Sequence, residues 1–133
     1  MKLTLTAILV LVITGSALAA SNNATLTIRH QMQGCHSWSF DGKTWRASQS
    51  TTITRGSVLT VVDNDVMSHR LVQLSGPKAL VTGAAMSHMS ARAHVVFTAK
   101  GTYVFTTKPG EDYTKGIVTK GEDNVLRLVV KVT

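Results

Sequence analysis

The chain has 133 residues, with 14 Lys and Arg against 7 Asp and Glu and a formal charge of +7. That length suits one domain. The basic residues are scattered singly from Arg29 to Lys131, without a cluster or interleaved aromatics, which argues against a nucleic-acid interface and leaves a mildly basic surface suited to acidic partners.

The N-terminus reads MKLTLTAILVLVITGSALAASNN. Lys2 precedes an apolar run from Leu3 to Ile13, and Ala17-Leu18-Ala19 has the small-x-small form that signal peptidase accepts. The run is shorter than the about 20 residues of a helical membrane span. Residues 1–20 therefore read as a cleaved secretory signal, and residues 21–133 as one periplasmic or secreted domain, expected to be a monomer with no stable membrane insertion.

From there the chain reads as strands. ATLTIRHQM (24–32) alternates Leu26, Ile28 and His30 with polar neighbours. SWSFDGKTW (37–45) contains Asp41-Gly42, a two-residue hairpin signal between short aromatic-bearing strands. STTITRGSVLTVVDND (50–65) is rich in Thr and Val and turns at Arg55-Gly56, and HRLVQLSG (69–76) alternates again. Residues 77–93 break the pattern and are read as a looser stretch with a helical turn. HVVFTAKGTYVFTTKPG (94–110) gives two strands joined at Ala99-Lys100-Gly101, and GIVTKGEDNVLRLVVKV (116–132) a final hairpin-like pair around Gly121 to Asn124. Short strands at regular spacing predict an all-β sandwich or barrel.

Export places the single cysteine, Cys35, in an oxidising space where it has no disulfide partner within its own chain. It is either a buried inert thiol or a ligated one, because free extracytoplasmic thiols oxidise. The other soft donors are grouped with it in three segments: Met32, Cys35 and His36; Met67 and His69; Met86, His88 and Met89. Thiolate, thioether and imidazole together suit copper, whereas zinc has little use for Met. Each donor also has a bland role: Met fills cores, and a lone His on a β-domain is commonly a surface or partnered residue. Both Cys35 and His36 ligate one ion only if the backbone turns at Gly34, since neighbours in a strand face opposite ways. Trp38 and Trp45 are read as core residues near that end. No Ser/His/Asp order, phosphate loop or carboxylate pair points to catalysis, and adjacent Cys35 and His36 are poorly placed as nucleophile and base.

DNDVMSHRLVQLSG resembles the strand of cupredoxins, blue copper proteins such as amicyanin and azurin, that carries their first histidine ligand. HVVFTAKGTYVFTTKPG followed by KGIVT resembles the end of the same domain, with its Gly-Thr-Tyr turn and its Tyr-x-Phe strand. The resemblance covers roughly residues 24–132 and implies a Greek-key β-sandwich, copper as cofactor, and His69 as the first histidine ligand. It also places the family's cysteine at Thr107, its second histidine near Gly110 and its axial methionine near Tyr113, so TTKPGEDYTKG has lost all three ligands of that loop. The three segments bearing soft donors correspond to loops that approach the copper-bearing end of that fold. The resemblance therefore implies a site rebuilt from Cys35 as thiolate, His69, then His88 or His36 as second imidazole, and Met86 or Met89 as weak axial sulfur. Glu111 is a further oxygen donor.

A mononuclear site of that kind predicts one-electron transfer with a redox partner protein. The alternatives are a copper carrier that meets a copper-handling protein, suited by Met86-Ser87-His88-Met89, and a metal-free interaction domain.

Overall fold

The computed structural model describes residues 22–31, 35–109 and 125–133, and at residues 30, 31, 35 and 109 the backbone alone. The signal segment, Met32, Gly34 and the altered loop with Glu111 lie outside the described residues. Among the described residues there are ten strands: β1 (Ala24–Gln31), β2 (Cys35–Ser39), β3 (Ser48–Ile53), β4 (Val58–Asp63), β5 (His69–Ser75), β6 (Leu80–Thr82), β7 (Ala85–Met86), β8 (Arg92–Val96), β9 (Gly101–Pro109) and β10 (Arg127–Val132). They form two five-stranded sheets, ordered β2-β1-β4-β8-β6 and β3-β10-β9-β5-β7. Both are mixed: β1 runs parallel to β4 and β3 parallel to β10, while the other pairs are antiparallel. Among the described residues there is no helix, and none long and apolar enough to cross a membrane.

Period-two patterning builds the sandwich. In β4, Leu59, Val61 and Asp63 are buried and alternate with half-buried neighbours. In β10, Leu128, Val130 and Val132 do the same. Inward residues of both sheets, among them Leu26, Ile28, Trp38, Val95, Tyr103 and Phe105, make one core. The ring of Phe97 meets Tyr103 edge-on at 4.9 Å and Phe105 at 6.2 Å. Tyr103 also donates from its hydroxyl to the Ala99 carbonyl at 2.7 Å, tying the crossing from β8 to the strand it enters.

The turns depart from the sequence reading in an informative way. Arg55-Gly56 is a turn, with Gly56 at φ 86°, yet β3 and β4 on either side belong to different sheets. The same holds for β8 and β9 around 97–100. Asp41-Gly42 does not close a two-residue hairpin. The chain pairs only at an isolated bridge between Trp38 and Arg46, leaving a wide loop. Asp41 organises it: Oδ1 accepts from the Lys43 and Thr44 amides at 2.8 and 2.7 Å and from Ser39 Oγ at 2.8 Å. Asp side chains favour such local bonds over a strand ladder. Residues 77–93 hold the short strands β6 and β7 rather than a helical turn. Gly76, at φ 100°, is needed there, because a Cβ would sit 2.4 Å from the Thr102 carbonyl oxygen.

Candidate metal centre

The ends of β1 and β2, the β4–β5 connection and the β7–β8 connection meet at one pole of the sandwich. His30 and His36 are partners across β1 and β2. His69 opens β5 and is paired with Met86 of β7 on one side and Pro109 of β9 on the other. Ser90 donates its amide to the Asp63 carbonyl, Asp63 its own to the Ala91 carbonyl, and Ser68 Oγ reaches the Ser87 carbonyl at 3.4 Å. These bonds fix the two connections against each other.

Three side chains converge inside this pole. His36, Asp65 and His69 offer ligand atoms that all lie within 4.8 Å of one another. Their exposures are 7%, 1% and 3%, so the group is shut off from solvent. Asp65 Oδ2 lies 2.9 Å from His36 Nδ1 and 3.1 Å from His69 Nε2. The imidazoles stand edge to face, with centroids 4.8 Å apart.

Burial alone pushes the Asp65 carboxyl up. Hydrogen bonds from His69, the Met67 amide and His36 outweigh it and hold the group below the usual carboxylate range. An ionised carboxylate only accepts, so both ring nitrogens facing it donate. Asp63, fully buried at the end of β4, behaves oppositely. Burial pushes it up to about 7, and the neighbouring Asp65 charge adds to this. Asp63 Oδ1 accepts the Asp65 amide at 3.0 Å, while its Oδ2 is buried without a hydrogen-bond partner among the described residues.

The donor set fits a transition-metal ion. Imidazole suits copper, zinc and iron, and a carboxylate completes a site for any of them. An ion here would take the place of the two N–H···O protons, and since two bonds of about 2.0–2.2 Å span at most about 4.4 Å, the donors, now spread up to 4.8 Å apart, would have to draw together around it.

Of the residues singled out from sequence, His36 and His69 come together here. Met86 is fully buried beside His69. His88 and Met89 do not enter the group. Both are exposed on the loop after β7, Met89 by 51%, and His88 Nδ1 lies 3.0 Å from the Met89 carbonyl. Cys35 directly precedes His36 in β2, and its side chain lies outside the described residues. Thr107, where the resemblance places a cysteine, is a strand residue of β9 opposite Leu71. Asp65 is the residue that sequence reasoning passed over. Its one signal is the spacing of four to His69 in NDVMSH, at the entry to a strand.

No family model and no curated protein matches the chain. Among solved structures it is similar to a purple cupredoxin from Nitrosopumilus maritimus, 12% identical, with a TM-score of 0.44, covering 84% of this chain and 100% of that one. It is also similar to amebosin, 15% identical, with a TM-score of 0.37, covering 64% of this chain and 89% of that one.

Proposed function

We propose that the protein is an exported, cupredoxin-like copper protein that carries one electron to or from a partner, with His36, His69 and Asp65 holding the ion. The observation that carries this reading is the convergence of those three buried donors at one pole of a rigid sandwich. Methionine supports copper over zinc: the Met86 position is fully buried and in register with His69. Bound copper would supply a one-electron couple. The chain's own part is to fix the imidazoles through Asp65, to exclude water, and to keep the donors in place between oxidation states. His36 replaces His88 as second imidazole, because it is buried with His69 whereas His88 is exposed, and Met86 is preferred to Met89 as sulfur donor, because it is buried in strand register with His69 whereas Met89 is exposed. Cys35 is the alternative donor from β2: it is the strand neighbour of His36, and neighbours in a strand face opposite ways, so the thiolate and the His36 imidazole are competing rather than joint ligands. The likeness of DNDVMSHRLVQLSG to the amicyanin and azurin strand belongs to the same reading.

Copper loading tests it. One tightly held copper per chain is expected, with a visible band that bleaches on reduction, and loss of that copper in His36→Ala and His69→Ala. An intense band that disappears in Cys35→Ser assigns the thiolate; a band unchanged by that substitution removes Cys35 from the site. Failure to retain copper at all leaves His36, Asp65 and His69 as a structural hydrogen-bond network. Export is tested by the N-terminus of the secreted protein, expected just after Ala19 or Ala20.

A second reading, copper carriage, is favoured by one feature. His88 and Met89 stand exposed on the loop that touches the β4–β5 connection, where a soft donor pair is open to a copper-handling partner. A colourless protein that binds only Cu(I) would select it.

A further inference from the structure

On the outer face of the sheet that holds β3 and β10, a shallow groove of ≈ 270 Å³ runs along the edge strand β3. It is lined by Thr44 and Arg46 from the wide loop, Ser48 and Ser50 from β3, and Arg127 from β10. Arg127 is the parallel partner of Ser48, and Val129 of Ser50, so both serines and the arginine stand on the outward side of one sheet.

Among the described residues, none that lines the groove is acidic. Among the described residues, no carboxylate lies within ion-pair distance of Arg46 or Arg127. Arg46 and Arg127 carry like charges and line one concavity, so they repel each other there. A dianion between them removes that repulsion and takes the forked hydrogen bonds that arginine offers to phosphate. The hydroxyls of Ser48 and Ser50 are further donors.

The walls are held in place without the ligand. The Arg46 backbone exchanges hydrogen bonds with Trp38 at 3.1 and 3.3 Å. Gln49 Nε2 donates to the Trp38 and Thr44 carbonyls at 2.9 and 3.1 Å. The Arg127 amide donates to the Ala47 carbonyl at 2.9 Å. Asp41 binds the Thr44 amide and hydroxyl at 2.7 and 3.0 Å, which directs the loop's only nearby carboxylate into its own turn. Pre-set walls reduce the ordering cost of binding. The volume falls below the about 300–1,000 Å³ of pockets for drug-sized ligands, which suits a phosphate group rather than a large organic molecule.

We infer that this groove binds a phosphate dianion between Arg46 and Arg127, either free phosphate or the exposed monoester of a lipid headgroup. The test uses the full domain in amide-resolved NMR titration with inorganic phosphate, beside co-sedimentation with vesicles of phosphatidic acid or of phosphatidylcholine alone. The expected result is saturable shifts confined to residues 44–50 and 127, about tenfold weaker binding in Arg46→Gln or Arg127→Gln, and loss in the double variant. Both side chains are exposed, so the variants keep the wild-type spectrum elsewhere. Phosphate binding without vesicle binding assigns the free ion. Arginine-dependent capture by phosphatidic acid vesicles assigns the headgroup. Unsaturable shifts spread over all basic residues, binding that survives the double substitution, or binding to neither probe overturns the inference.

Discussion

At Asp65, one carboxylate oxygen answers two imidazoles and leaves each with a defined proton position. Asp65→Asn keeps the shape but removes the charge and turns one acceptor into a donor. In the metal-free protein it is expected to cost about 1–3 kcal/mol, the range for an unsatisfied buried partner, read from urea unfolding. Copper affinity is expected to fall by about 10–100-fold, as for other groups that orient ligands, read by competition with a chelator. Asp65→Ala with unchanged copper affinity would show that the carboxylate neither ligates nor orients. The residue was hard to read because soft-donor grouping ranks sulfur and nitrogen first, and an acid in DNDVMSH looks like a solvated turn. Its role arises from burial, which only the packed pole reveals. His36 and His69 were legible as residue types in the right segments. That His36 and Met86 are buried while His88 and Met89 are exposed depended on packing and could not be read from spacing.

At the scale of elements, the strands were legible and their pairing was not. Alternation in 24–31, 58–63 and 127–132 gave each strand its buried face. Turn signals at 55–56 and 99–101 marked real reversals, but a turn residue does not say whether the next strand joins the same sheet or the opposite one. Asp41-Gly42 failed as a hairpin because the carboxylate of Asp41 binds its own loop. Those bonds, led by the Thr44 and Lys43 amides, hold the Asp41 carboxyl well below the usual range. A carboxyl depressed in the folded state adds stability above its ordinary pKa and loses it as pH falls. The melting-temperature gap between wild type and Asp41→Ala is therefore expected at neutral pH and to shrink below about pH 4. A gap constant across that range would contradict the assignment. Tyr103→Phe removes the bond to the Ala99 carbonyl in a buried setting, and is expected to cost about 1 kcal/mol in urea unfolding.

For the molecule as a whole, one aromatic and aliphatic core joins two sheets and leaves a polar, buried cluster at a single end. The folded state alone brings β2, the β4–β5 connection and β7 together, so an ion held there stabilises the fold by mass action. Copper at 100 times its dissociation constant is expected to add about 2.7 kcal/mol, seen as a rise of several degrees in melting temperature that chelation reverses. The most direct measurement is X-ray absorption at the copper edge on the loaded protein, with the His36→Ala, His69→Ala double variant beside it. The prediction is imidazole scattering from two nitrogen ligands in the wild type and its disappearance, together with the copper, in the variant. Copper that remains bound in the double variant with an unaltered spectrum would contradict a centre at this pole.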